Sequence, residues 1–117
     1  MTKVRSTSIL LQDILLSCEL IYAYTKGLTY QEFLESMQTK DSVSRRVEII
    51  GEIVKTLPMV LRNEHPKIPW KSISWMRDIL VHEYYRVDPA LTWHVCQIEI
   101  PKLERQIRKI KKAIDVG

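Results

Sequence analysis

An all-α fold, an up-and-down bundle of four to five helices, is what the sequence predicts, and three observations predict it. Apolar residues recur at helical spacing through most of the 117 residues. Glycine and proline number only 3 and 5, too few for the tight turns of an all-β chain. No stretch with the two-residue period of a strand runs beyond a few residues. The length fits one domain, 1–117. A chain of this size buries roughly 65% of its unfolded surface, enough for a core without disulfides or metals.

The elements follow in order. Ser6, Thr7 and Ser8 offer N-cap hydroxyls, and Ile9, Ile14, Leu16, Leu20 and Ile21 recur at helical spacing up to Tyr24. Gly27, free to take a positive φ, should end this first helix of about five turns. "TYQE", Thr29 to Glu32, has capping-box form and should open a short helix through Met37. Asp41 or Ser42 can cap the next one, whose buried stripe is Val43, Val47, Ile50, Val54 and Leu57. Pro58 should break it near Leu57, because proline lacks the N–H and crowds the preceding turn.

"NEHPKIPW" reads as a loop, and a further helix should start near Trp70 and run to Tyr85. "VDPA" reads as a loop with Asp88 at N-cap and Pro89 at N1. Leu91, Val95, Ile98, Leu103, Ile107, Ile110 and Ile114 form a long stripe to the C-terminus, kinked at Pro101.

Composition bounds the function. Hydrophobic residues make up 45% and charged residues 27%, ordinary values for a soluble protein. The net charge of +4 is compatible with a polyanionic partner without demanding one. Cys18 and Cys96 lie far apart, with neither a CxxC nor a Cys/His cluster, so the chain is expected to hold no metal and to keep both as reduced core thiols. Nothing calls for a cofactor. The N-terminus has a basic start and an apolar run, but Gln12, Asp13 and Glu19 interrupt it. No segment reaches the roughly 18 uninterrupted apolar residues of a membrane helix. A cytoplasmic protein is the plain reading.

One stretch concentrates chemistry: "WMRDILVHEYY", Trp75 to Tyr85. On a helix Asp78 and His82 are i and i+4, so the carboxylate can hold the imidazole in one tautomer. Arg77 and Tyr84, i and i+7, share a face. Arg77 and His82 are five apart, roughly 140° around the axis. They converge only if the helix loosens after Val81 or if two copies meet across a two-fold axis. An arginine and a histidine suit metal-free RNA cleavage. The histidine can take the proton of a ribose 2′-OH or give one to the leaving 5′ oxygen, while the guanidinium grips the phosphate. DNA lacks that hydroxyl. A plainer account stands beside this one. A histidine near a helix end can be a capping or core residue, Arg77 with Asp78 a surface pair, and Tyr84 and Tyr85 packing aromatics.

Other groups are candidates of the same kind. Glu52 can reach the motif from the neighbouring helix and pair with Arg77, or with a local lysine. Lys102, Arg105, Lys109 and Lys112 fall at i, i+3, i+7 and i+10. They form a basic stripe able to hold an RNA backbone or a protein partner, or a simple solvated face. His65 and His94 read as structural, and Trp70, Trp75 and Trp93 as core or interface anchors.

"RDILVHEY", Arg77 to Tyr84, is R-x4-H-x-Y and resembles the motif of the HEPN superfamily, in particular its HepT-like toxins. "IIGEIVKTLP" is similar to that family's second-helix signature, "HPKIPWKSISWMRDILVHEYYRVDPALTW" to its central block and "LERQIRKI" to its final helix. The resemblance spans most of the chain and is strongest from Ile49 to Trp93. It implies an all-α fold, a homodimer with the motif at its interface, and metal-independent endoribonuclease activity by Arg77 and His82. It also implies a nucleotidyltransferase antitoxin of the MntA type that attaches AMP to Tyr84. The position after the arginine is usually Asn in this family and is Asp78 here. A negative phosphate on Tyr84, beside Arg77, would sit where the RNA phosphate belongs; Tyr85 points about 100° away. The alternative from another class is a non-catalytic helical binding module that partners a nucleotidyltransferase.

Overall fold

Local capping chemistry sets most of the helix boundaries. The computed structural model describes the backbone of residues 3–82 and 88–116 and the side chains of residues 7–78 and 88–116. The first helix, α1 (Lys3–Thr25), ends where Gly27 takes a φ of 77°, and Leu28 N–H turns back to the Thr25 carbonyl at 3.1 Å. Its start differs from the expectation. The helix is already under way at Lys3, so Ser6 to Ser8 are not caps, and the Ser8 hydroxyl donates instead to Asp115 at 2.7 Å.

The capping box is present at α2 (Tyr30–Glu35). Glu32 N–H donates to Thr29 Oγ1 at 3.1 Å, and Thr29 N–H donates to Glu32 Oε1 at 2.9 Å. The helix stops before Met37 because Ser36 turns to an extended conformation. Ser36 then caps α3 (Met37–Thr56), accepting from Thr39 N–H at 3.2 Å. The third helix therefore starts ahead of Asp41 and Ser42, which lie inside it.

Pro58 ends the run as expected, but the next residues resume as α4 (Met59–Glu64). Six residues are too few to give a readable period. The loop that follows is latched by Trp70, whose Nε1–H is shared between the Arg62 carbonyl at 3.1 Å and the His65 carbonyl at 3.0 Å. Trp70 opens α5 (Trp70–His82). The part of the motif helix expected beyond His82 lies outside the described residues. Asp88 caps α6 (Pro89–His94), accepting from Ala90 N–H at 2.9 Å, with Pro89 in the first turn. A π-helical turn, Val95–Glu99, leads into α7 (Ile100–Val116).

That π turn sits immediately before Pro101. A proline has no N–H to give the fourth carbonyl back and its ring presses on that carbonyl; a widened turn removes the conflict. Ile100 N–H donates to the Val95 carbonyl, five residues back. The extra residue also changes the expected stripe. Val95, Leu103, Ile107 and Ile110 are buried and Ile114 is partly buried against the core, but Leu91 and Ile98 are 42% and 53% exposed, and Ile100 takes a core position instead.

The four long helices form a folded row, α5 on α3, α3 on α1, and α1 on α7. Leu11, Ile14, Ile21, Phe33, Ile50, Leu57 and Ile107 are fully buried between them. Trp93 lies against Phe33, ring centroids 5.1 Å apart, and against Tyr30 at 6.1 Å, which fastens α6 to α2. Among the described residues every regular element is helical, and no helix is long and apolar enough to cross a membrane.

Cys18 and Cys96 are free and buried, as expected. Burial pushes both thiols up to about 12, from an ordinary 9.0. A folded-state value above the unfolded one contributes stability that is full below pH 9 and disappears as pH rises toward 12. A thiol reagent at pH 8 should therefore leave both cysteines unmodified in the native protein and label both in denaturant. Native labelling at the denatured rate would contradict the burial. Urea titrations should show stability declining between pH 9 and 12.

Candidate active site

The site is built where α5 crosses α3, and the crossing depends on Gly51. A glycine in mid-helix costs about 1 kcal/mol relative to alanine, so it needs a reason. Here a Cβ on Gly51 would overlap the Cβ of Arg77 and come within 2.7 Å of its Cγ. The two backbones can therefore meet at this point only without a side chain on α3.

That approach brings Arg77 between two carboxylates. Its Nη2 donates to Glu52 Oε1 and its Nη1 donates to Asp78 Oδ1 at 2.9 Å. Lys55, one turn beyond Glu52 on α3, donates from Nζ to the same Asp78 oxygen at 3.1 Å. Four charged side chains, two of each sign, thus form one chain from Glu52 through Arg77 and Asp78 to Lys55.

The Arg77 side chain is 19% exposed, and Nε is buried with no partner among the described atoms. Asp78 and Lys55 are 41% and 43% exposed, so their pairing contributes little to stability and serves to fix geometry. The hydrogen bond from Arg77, then that from Lys55, holds the Asp78 carboxyl below the usual carboxylate value of 3.8. Asp78 therefore stays ionised at any pH where a histidine titrates.

A guanidinium carries five N–H donors. With one on each terminal nitrogen committed to a carboxylate, each terminal nitrogen keeps a second. The arrangement can hold an arginine in a fixed plane and still leave it two donors for an oxyanion. An incoming phosphate would also meet the negative charge of Glu52 and Asp78, which Lys55 offsets in part.

The structure brings together three of the expected site residues, Arg77, Asp78 and Glu52. Of the alternatives open to Glu52, it takes the arginine. Asp78 accepts from Arg77 and Lys55; its expected contact with His82 lies outside the described residues. His82 is the last described residue of α5; its side chain, and all of Tyr84, lie outside the described residues. Lys102 and Lys109 border cavities between α7 and the elements facing it, while Arg105 and Lys112 are simply exposed. Trp75 is 64% exposed on α5, a surface position rather than a core one. Gly51 and Lys55 were missed. The signal for the first was a glycine inside an otherwise strong helical pattern, and for the second a lysine three residues from Glu52 on one helix face.

Comparison with known proteins places the sequence in a family. The profile described as Ribonuclease HepT-like matches residues 14–110. The chain belongs to the HepT-like ribonuclease family. A Methanocaldococcus jannaschii protein named as a gamma-glutamylcyclotransferase and candidate RNase is 47% identical over 95% of this HepT-like chain and 50% of its own length. A Caldanaerobacter subterraneus protein named as a candidate RNase is 41% identical over 86% of the chain and 89% of its own. One from Thermococcus cleftensis, named as a probable ribonuclease HepT, is 37% identical over 92% and 98%. The chain thus spans about half of the first relative and about nine-tenths or more of the other two. No solved structure gives a significant match.

Replacing Gly51 by alanine should destabilise this HepT-like chain by about 1–3 kcal/mol, the usual cost of forcing extra volume into a packed contact, in spite of alanine's better helix propensity. Urea unfolding measures it. A variant as stable as wild type would mean that α3 and α5 are not in close contact in solution.

Proposed function

We propose that this chain is a metal-independent endoribonuclease and the toxin of a toxin–antitoxin pair. The family match over residues 14–110 is the observation that carries the reading, and the fixed plane of Arg77 supports it. His82 takes the proton from a ribose 2′-OH as that oxygen attacks the adjacent phosphorus, or returns one to the 5′ oxygen as the P–O5′ bond breaks. Arg77 holds the phosphate and stabilises its growing charge. Asp78 and Glu52 set the guanidinium plane.

Arg77 and His82, five residues apart, do not stack on one face of α5, and of a loosened helix end or a two-fold axis we favour the second, a working site shared between two copies of the chain in a homodimer. The exposed Trp75 on the same helix supports an interface there. The RNA backbone follows the basic side of α7 past Lys102, Arg105 and Lys109. In the cell, taken to be the cytoplasm, a nucleotidyltransferase antitoxin of the MntA type silences the toxin by adenylylating Tyr84. The engagement of Arg77 by two carboxylates favours one other reading, a non-catalytic binding module in which the arginine is structural and the nucleotidyltransferase is simply its partner.

Purified protein should cut single-stranded RNA in the presence of EDTA, and Arg77→Ala or His82→Ala should each slow cleavage by about 100-fold or more. Intact RNA after incubation with the wild-type dimer, or equal cleavage by His82→Ala, would favour the binding module.

Co-expression with the antitoxin should raise the intact mass by one adenylyl group, and Tyr84→Phe should abolish that gain. An unchanged mass together with a neutralised toxin would instead mean silencing by binding alone.

A further inference from the structure

The helix row leaves α5 and α7 unpaired along their length, and a groove runs between them. One section is a cleft of about 440 Å³ between the loop at residues 64–68 and the C-terminal half of α7. A smaller section of about 50 Å³ lies between α5 and the start of α7, and Gln106 borders both. The larger cleft falls in the roughly 300–1,000 Å³ range of ligand pockets. Ile68 and Ile110 are buried at its base, Pro66, Ala113 and the half-buried His65 line its sides, and Lys67 and Lys109 stand exposed beside it with one acid, Glu64.

The loop wall is built to keep its shape. The Trp70 indole ties its His65 carbonyl and the Arg62 carbonyl of α4, Ile68 N–H donates to the His65 carbonyl at 3.2 Å, and Pro66 and Pro69 fix the backbone on either side. The opposite wall is the most charged element of the chain. α7 carries six cationic and two acidic side chains, a net +4 equal to that of the entire molecule. Outside α7 the charges cancel. Arg108 and Lys111 are held in ion pairs with Glu104, Glu19 and Asp115, which leaves exposed charge on the other four, Lys109 among them.

An apolar floor under a cationic rim is the pattern that accepts single-stranded nucleic acid: bases unstack onto the apolar surface and phosphates meet the cations. Resting on the ribonuclease reading, we propose that this cleft is a base-binding subsite for single-stranded RNA. One unpaired base lies on Pro66, Ile68 and the His65 ring, and the phosphates on either side of it meet Lys67 and Lys109. The cleft lies apart from Arg77, so it anchors the strand at a distance from the cut and sets which nucleotide can occupy that distance.

The test uses the full-length His82→Ala protein, which keeps a labelled single-stranded RNA of about twelve nucleotides intact during fluorescence anisotropy between 50 and 200 mM salt. The double variant Lys67→Ala/Lys109→Ala should weaken binding about tenfold and flatten the dependence of log affinity on log salt by about 1.4, two phosphates at about 0.7 each. Ala113→Trp, which fills the cleft from an exposed helix position, should weaken binding with the charges intact. Lys26→Ala, at the far end of α1, should change little. If wild-type protein cuts RNA while the double variant and Ala113→Trp bind like the parent, the subsite is overturned and the ribonuclease reading stands. If binding depends on the cleft but wild-type protein cuts nothing, the ribonuclease reading falls and the subsite stands. Loss of RNA binding in every protein, or displacement of RNA from the cleft variants and parent alike by an acidic peptide, overturns the subsite.

Discussion

Arg77 rests its Cβ and Cγ on the bare backbone of Gly51, and the placement of the charged groups follows from that contact. Because α3 and α5 touch there, Glu52 and Lys55 on one helix come within reach of Arg77 and Asp78 on the other. The sequence between Ile49 and Leu57 therefore does two tasks at once. Its apolar members, Ile50, Ile53, Val54 and Leu57, fill the core, and its small and charged members shape the site. A side chain at position 51 would separate these tasks by pushing α5 outward.

The two charged regions of the molecule behave differently for a physical reason. Around Arg77, cations and anions alternate at hydrogen-bond distance, so the local field is nearly neutral and its value lies in direction. Along α7 cations outnumber acids six to two and most of them are exposed, so the field there reaches into solvent over about a Debye length. A polyanion would be drawn first to α7 by attraction without geometry, and only at close range would it meet the oriented guanidinium. On the proposed reading, capture and chemistry would thus be separated in space on one small bundle.

Most of the fold was legible because it is written in local rules. Gly27, the Thr29–Glu32 box, Pro58, Trp70, and Asp88 with Pro89 each mark a boundary through their own backbone chemistry. The misses have the opposite character. Ser36 won the cap of α3 over Asp41 and Ser42 because the chain turns there, which no hydroxyl by itself discloses. α4 is too short to show a period. At the site, Arg77, Asp78 and Glu52 were readable from spacing and from the family pattern. Gly51 and Lys55 act across a helix crossing, and a single sequence does not say which of two faces will cross. A helical wheel of constant pitch puts Leu91 and Ile98 in the core, but the turn at Val95–Glu99 does not keep that pitch.

That turn, Val95–Glu99, has a further effect. An α-helix rotates each residue by about 100°, so one surplus residue is an angular error, and the wide turn absorbs it before α7 begins. Everything downstream is held in phase with α1 by this single adjustment. The five residues work as a phase corrector: the apolar face of α6 and that of α7 are written in two different registers and read as one surface. Removing one residue from the turn would leave each helix intact and rotate α7 about its own axis, carrying Leu103 and Ile107 off α1 and Glu104 and Arg108 into their place.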